Sequence, residues 1–267
     1  MTDSYLDRVA ELATEAARAG GAVLREGYGR VHSVRFKGDI DLVTEVDVRA
    51  ERTITDLIRS RFPDHRILAE EGTIGGDDAA HRWLIDPLDG TTNYAHGVPV
   101  FCVSIGYELE GQVTVGAIYD PSRDELFVAR AGRGATSNGQ PLAVSNQVEL
   151  GRALLTTGFP YDRALLPRAL DQFSTFCGRT QAVRRIGSAA LDLAWVAAGR
   201  FDAYWETVIQ PWDVAAGSLI AAEAGARLTD LAGAPFAVDG GEILASNGHL
   251  HELMLEILAS PRAPIEG

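Results

Sequence analysis

The sequence predicts an α/β (α+β) protein with sheets layered between helices. Three observations predict it: a middle third of short strand-like runs, a second half in which strand-like and helical segments alternate, and no linker between the two. Leu6, Val9, Ala10, Ala13, Ala16, Ala17, Val23 and Leu24 recur at helical spacing and stop at Gly27-Tyr28-Gly29, which gives a long first helix with a glycine terminator. A second helix starts near Glu45 and runs to Arg61, closed by Phe62-Pro63-Asp64. Runs rich in β-branched and aromatic residues at 66–69, 83–85, 100–107, 113–119 and 125–129 are separated by Gly, Asp and Pro turns, so this third is a sheet. Beyond about residue 150, strand-like 153–157 and 182–186 interleave with helical patterns at 165–177, 189–198, 214–224 and 250–258. No Pro/Ser-rich stretch, charge block or internal repeat divides the chain, so one domain of two closely packed halves, with a boundary near residue 150, is expected.

Composition bounds the function. The 267 residues are 46% hydrophobic and 23% charged, enough to bury a full core without a disulfide or structural metal. With 24 Lys and Arg against 37 Asp and Glu, the net charge of −13 repels phosphate backbones and acidic lipids, which argues against a direct nucleic-acid or membrane partner. The two cysteines, Cys102 and Cys177, have no CxxC spacing, which fits a reducing compartment and excludes a structural zinc site. The acidic start, Met1-Thr2-Asp3-Ser4-Tyr5-Leu6-Asp7, lacks the cationic and apolar regions of a signal peptide, so a cytoplasmic location is expected. The longest uncharged apolar run, 98–107, is about half of the ~20 residues needed to cross a bilayer and reads as a buried strand.

The densest chemical signal is Trp83-Leu84-Ile85-Asp86-Pro87-Leu88-Asp89-Gly90-Thr91-Thr92-Asn93. An apolar strand delivers Asp86, Pro87 stops the ladder by removing a donor, and Gly90-Thr91-Thr92 can open a helix with free N–H groups, although Asp-Pro and Asp-Gly are also plain turn formers. Glu70-Glu71-Gly72 ends another strand with carboxylates, or is a solvated acidic turn. Asp213 in Pro211-Trp212-Asp213 begins a helix and could be its N-cap. Asp41-Leu42-Val43-Thr44-Glu45-Val46-Asp47 brings Thr44 and Asp47 to a helix start, where a capping box is the plain alternative. All four segments bring an acid to a strand end or a helix start. If Glu70, Asp86, Asp89 and Asp213 converge, each pair repels by on the order of 4 kcal/mol at ~4 Å and an effective dielectric near 20, and cations must neutralise them. An all-oxygen donor set suits Mg²⁺. Of the six histidines only His249 and His251 lie close together in sequence, and they are expected on a surface loop.

Together with Arg184-Arg185-Ile186-Gly187-Ser188-Ala189-Ala190-Leu191-Asp192, and Trp212-Asp213 with Glu206 seven residues before that aspartate, these motifs resemble the inositol monophosphatases of the lithium-sensitive, magnesium-dependent phosphatase superfamily over nearly the whole chain. The resemblance implies a layered α-β-α-β-α sandwich, usually a homodimer, that hydrolyses a small-molecule phosphate monoester with two to three Mg²⁺ ions. It implies Glu70, Asp86 and the Leu88 carbonyl as ligands of one ion, Asp86, Asp89 and Asp213 as ligands of a second, and Glu70 beside a weaker third. Thr91, paired with Asp47, would hold the attacking water beside Glu70, and the N–H groups of Gly90 and Thr91 would grip phosphate. Asp89, Ser188, Ala189 and Glu206 match positions that contact inositol hydroxyls, although Glu206 could also be a surface charge after Tyr204-Trp205. Thr92 stands where relatives acting on histidinol phosphate or 3′-phosphoadenosine 5′-phosphate often carry lysine, and Lys37-Gly38-Asp39-Ile40 departs from some members. Inositol-1-phosphate is thus the expected substrate. Alternatives are a broader sugar-phosphate phosphatase, acting on fructose 1,6-bisphosphate or histidinol phosphate, and a non-catalytic regulatory subunit that binds protein.

Overall fold

The computed structural model describes residues 3–30, 34–36, 42–70, 72–76 and 78–260, so Asp41, Glu71 and the Lys37-Gly38-Asp39-Ile40 departure lie outside the described residues. Helix α1 (Asp3–Gly27) leads to a two-stranded ribbon, β1 (Val34–Phe36) with β2 (Leu42–Thr44), and then to α2 (Glu45–Arg61). The first sheet is built from β3 (His65–Ala69), β4 (Gly72–Ile74), β5 (Asp78–Asp89), β6 (Cys102–Leu109), β7 (Gln112–Asp120), β8 (Glu125–Arg130), β9 (Ala135–Ser137) and β10 (Gln140–Pro141), with the short helix α3 (Thr91–Ala95) between β5 and β6. Its strand order is β10-β9-β8-β7-β6-β5-β3-β4. The second sheet contains β11 (Leu154–Thr157), β12 (Ala182–Arg184), β13 (Ala203–Thr207), β14 (Arg227–Thr229) and β15 (Glu242–Ser246), in the order β12-β11-β13-β15-β14. Helices α4 (Leu166–Cys177), α5 (Ala189–Ala197), α6 (Pro211–Glu223) and α7 (His251–Ala259) alternate with these strands.

Five layers result. Helices α1 and α2 pack on one face of the first sheet, α5 and α6 lie between the two sheets, and α4 and α7 cover the outer face of the second. An apolar core fills each gap between neighbouring layers: Val9, Leu12, Ile54 and Trp83 under α1 and α2; Leu191, Val196, Ile220 and Ile243 around the central helices; Phe176, Trp205 and Met254 beneath α4 and α7. The middle helices are apolar on nearly every side because both of their faces are covered. Closeness is set by small residues. A Cβ on Gly106 would stand 2.6 Å from Ala215 Cβ, and one on Gly116 would stand 2.7 Å from the Ala216 carbonyl oxygen, so α6 lies almost directly on β6 and β7.

Four expectations need correction. Pro87 does not end its strand: β5 continues to Asp89, but its pairing with β6 runs Asp86↔Ser104 and then Asp89↔Cys102, which leaves one extra residue on β5. Side chains three apart on a regular strand face opposite ways, and this bulge lets Asp86 and Asp89 share one side. The helix expected from residue 214 starts at Pro211, a favoured first helical residue. Asp213 is therefore its third residue, not its N-cap. His251 is fully buried, with its ring nitrogens 3.0 Å from Thr229 Oγ1 and 2.9 Å from Ser246 Oγ, whereas His249 is exposed.

Candidate active site

Parallel pairing gathers the acids. The β3–β5 register pairs Ala69 with Ile85, which sets Glu70, just past the end of β3, beside Asp86 on β5. In the second sheet β11, β12 and β13 are parallel, and Thr157 pairs with Trp205, so Gly158 stands beside Glu206. The carboxyl ends of these strands open on one cavity of about 370 Å³, the usual place for a ligand in sheets of this kind. Glu70, Asp86, Leu88, Asp89, Gly90, Thr91, Ser188, Ala189, Glu206 and Asp213 all line it. Asp47 does not; it is buried behind the wall, with its carboxylate 3.3 Å from Thr91 Oγ1. The Thr91 hydroxyl also lies 2.9 Å from the Leu88 carbonyl. Glu206, partly buried on the cavity wall, is not a surface charge.

Each acid is partly held by local donors. Asp86 accepts the Leu88 N–H at 2.9 Å. Asp89 Oδ2 accepts from Ser188 Oγ at 2.6 Å and from the Ala190 N–H at 2.7 Å, at the start of α5, where the helix dipole favours an anion. Asp213 Oδ2 accepts the Gln210 N–H at 3.0 Å, one half of a capping box. Among the described residues none of these three acids has a salt-bridge partner. Burial, followed by Glu70, Asp89 and Asp213, pushes the Asp86 carboxyl well above its usual value. Burial and Asp89 do the same to Asp213, and burial also raises Asp89 against the pull of Ser188 and Ala190. Glu206 is raised to about 7 by burial, opposed by Tyr204 and Arg185. As the side chains stand, no group of three His, Cys, Asp or Glu among the described residues is arranged to hold a metal ion.

Backbone geometry shapes the rim. Gly90 has φ +96°, and a Cβ there would lie 2.8 Å from the Val100 carbonyl oxygen, so only glycine makes this turn between β5 and α3. Asn93 Nδ2 ties α3 to the opposite loop, donating toward the carbonyls of Ile186 at 2.8 Å and Val100 at 2.9 Å. Gly158, Phe159, Tyr161, Ile209 and Gln210 also line the cavity without having been singled out in the sequence, as do Arg185, Asp192 and Trp212, which the sequence motifs contain without a role of their own. Arg185 and Asp192 flank Gly187-Ser188-Ala189, and Gly158-Phe159-Pro160-Tyr161 follows a strand end, which is the signal that could have found them.

The model of the inositol monophosphatase family matches residues 5–262. An inositol-1-monophosphatase of Synechocystis sp. is 48% identical over 253 residues, covering 94% of this chain and 88% of that protein. A Nus factor SuhB of Pseudomonas aeruginosa is 43% identical, covering 95% of this chain and 96% of its own. The solved inositol monophosphatase from Anabaena (Nostoc) sp. superposes with TM-score 0.86 at 46% identity, over 95% of this chain and 96% of that one.

Proposed function

Because the chain belongs to the inositol monophosphatase family and is thereby a phosphoric monoester hydrolase, we propose that it hydrolyses inositol-1-phosphate to inositol and phosphate with Mg²⁺ as cofactor. The observation that carries this reading is the meeting of Glu70, Asp86, Asp89 and Asp213 with Glu206 in one cavity. The donor set fits a hard divalent cation: it is all oxygen, partly or fully buried, mutually repelling, and Asp86, Asp89 and Asp213 carry no salt bridge among the described residues. Glu70, Asp86 and the Leu88 carbonyl would hold one ion, Asp86, Asp89 and Asp213 another, and Glu70 a weaker third. When bound, Mg²⁺ supplies Lewis-acid chemistry there, acidifying water and neutralising charge on the phosphoryl and leaving oxygens.

The chain's own groups do the rest. Thr91, its proton engaged by Leu88 or Asp47, leaves oxygen lone pairs to orient the attacking water, and Glu70 takes the water's proton. The N–H groups of Gly90 and Thr91 hold phosphate. Asp89, Ser188, Ala189 and Glu206 receive the ring hydroxyls on the other side. The same reading makes the protein a cytoplasmic homodimer inhibited by Li⁺. Among the described residues no helix is long and apolar enough to cross a membrane.

The test is Glu206→Gln. Weakening charge-assisted hydrogen bonds worth ~1.5–3 kcal/mol should lower kcat/KM for inositol-1-phosphate roughly tenfold, carried by KM, while p-nitrophenyl phosphate, which lacks ring hydroxyls, loses much less. Equal losses on both would sink the inositol assignment. The likeness to a protein named Nus factor SuhB favours a second reading, a regulatory protein-binding role. A panel of inositol-1-phosphate, histidinol phosphate, fructose 1,6-bisphosphate and nucleotide phosphates separates these: no phosphate release from any, with or without Mg²⁺, would leave only the regulatory role.

A further inference from the structure

Tyr204 is fully buried in β13, two residues before Glu206, and its hydroxyl donates to Glu206 Oε2 at 2.5 Å. Among the described residues this is the only hydrogen bond that the hydroxyl makes. The other carboxylate oxygen, Oε1, has no hydrogen-bond partner there, although Glu206 lines the cavity. Beside the carboxylate lies Gly158, where an added Cβ would fall 2.0 Å from Oε2 and 2.2 Å from Oε1. Glu206 is thus fastened through one oxygen by a phenol, seated in a space that glycine leaves, and left with one oxygen to spend on a ligand. The charged groups around it are Arg185 beyond β12, Asp192 on α5, Asp89 on β5 and Asp213 on α6.

We propose that Tyr204 and Gly158 determine specificity, by holding the Glu206 carboxylate in the one orientation that presents Oε1 to a polyol hydroxyl. The inference rests on the reading of Glu206 given above. A long glutamate side chain free to turn would pay conformational entropy each time it bound substrate, and a buried donor on one oxygen removes that cost in advance. Burial of a phenol hydroxyl is worthwhile only when it is paired, and among the described residues its one partner is the substrate-facing acid. Tyr204 is a positioning residue in this scheme, since it reaches the ligand only through Glu206.

The experiment uses the full-length protein with Mg²⁺, comparing steady-state kinetics on inositol-1-phosphate and p-nitrophenyl phosphate. Tyr204→Phe should raise KM for inositol-1-phosphate by roughly three- to tenfold with kcat within twofold, the loss of one charge-assisted hydrogen bond acting equally in ground and transition states. p-Nitrophenyl phosphate should change far less. In a Glu206→Ala background, Tyr204→Phe should add nothing. Gly158→Ala, which displaces the same carboxylate without touching the phenol, should reproduce the KM effect. Should Glu206→Ala raise that KM while Tyr204→Phe does not, Tyr204 is only a satisfied core residue and the proposal is overturned with the polyol reading intact. Should Glu206→Ala leave KM unchanged, both fall. A KM rise from Tyr204→Phe that persists without Glu206, or that is equal on both substrates, also overturns it.

Discussion

Strands β3 and β5 carry two buried titratable clusters, one toward each end, and the two are built in opposite ways. Toward the carboxyl ends stand Glu70, Asp86 and Asp89; burial and the neighbouring acids raise Asp86, burial raises Asp89, and neither meets a cationic side chain among the described residues. Toward the amino ends His65 and His81 stack with ring centroids 4.5 Å apart and planes within 6°. Tyr5 of α1 reaches both rings at 3.2 Å and the Tyr107 hydroxyl at 3.0 Å; Trp83 Nε1 donates to His65 Nδ1 at 3.0 Å, and Tyr107 pairs with His81 Nδ1. Because the indole can only donate, His65 Nδ1 must accept, which keeps the ring neutral. Burial, then His81, accordingly lowers His65 to about 4. A buried polar cluster whose members satisfy one another holds the fold; one whose charges remain uncompensated waits for a ligand.

The largest expected effect comes from exchanging roles between the two ends. Asp86→Asn should cut phosphate release from any accepted ester by at least about 100-fold, beyond the 10–100-fold typical of groups that only support metal ligands. In EDTA the same variant should melt no lower than the parent, because it removes a buried charge that burial and three acids disfavour. Tyr107→Phe should do the reverse, lowering the melting temperature while leaving kcat within twofold. A folded Asp86→Asn protein with parental activity would erase the distinction.

Cation binding sharpens it next. At 100 times its dissociation constant, Mg²⁺ should stabilise the folded chain by about 2.7 kcal/mol, a rise of roughly 5–10 °C in melting temperature for a chain of this size. Asp213→Asn should abolish most of that rise, and His81→Gln should leave it in place, as read by differential scanning fluorimetry in EDTA against added Mg²⁺.

Acid should act on the two clusters with opposite sign. His65 and the buried His251 both have folded pKa values lowered to about 4 from the usual 6.5. Protons therefore bind the unfolded chain first, and the stability these rings contribute, complete above pH 6.5, drains away as the pH falls toward 4, by on the order of 2 kcal/mol for each. The acids have raised folded values, so in EDTA their share is complete below the unfolded value and is lost as pH rises through the folded one. Urea midpoints at pH 7 and 5 should consequently fall less in His65→Asn, whose amide oxygen can still accept from Trp83. They should fall more in Asp86→Asn, which has lost the opposing acid. Identical slopes in all three would refute the assignment.

Legibility in the sequence differed between the clusters for physical reasons. Local periodicity marks α2, and α1 but for its first turn, because a 3.6-residue repeat is carried by neighbours in the chain. The histidine pair could not be read, since His81 lies sixteen positions beyond His65 and the parallel pairing of β3 with β5 unites them. Strand β13 escaped because it is short and mostly buried, so Tyr204-Trp205-Glu206 shows no alternation. The acids were legible as a set because carboxylates at strand ends are costly wherever they meet. Their shared side depends on the bulge at Pro87-Leu88, and proline announced only an interrupted ladder.

The smallest expected effect tests whether the histidine end is purely structural. Tyr5 of α1 reaches both imidazoles, and its hydroxyl stands within hydrogen-bond reach of three groups. Tyr5→Phe keeps the ring, which packs edge-on against Phe62 at 5.9 Å and His81 at 5.8 Å, and removes only the oxygen. His65 Nε2, the nitrogen left to carry the proton once Trp83 occupies Nδ1, then loses its acceptor. The cost should be about 1–2 kcal/mol, between the net worth of one hydrogen bond and the penalty of a buried polar atom left unpaired. For a chain of this length that is a fall of roughly 2–8 °C in melting temperature. Kinetic constants for phosphate release should not move, because nothing in the cluster faces the cavity. A change in kcat without a change in stability would mean that the two ends of β3 and β5 are mechanically coupled, and the division between a satisfied end and a ligand-binding end would have to be given up.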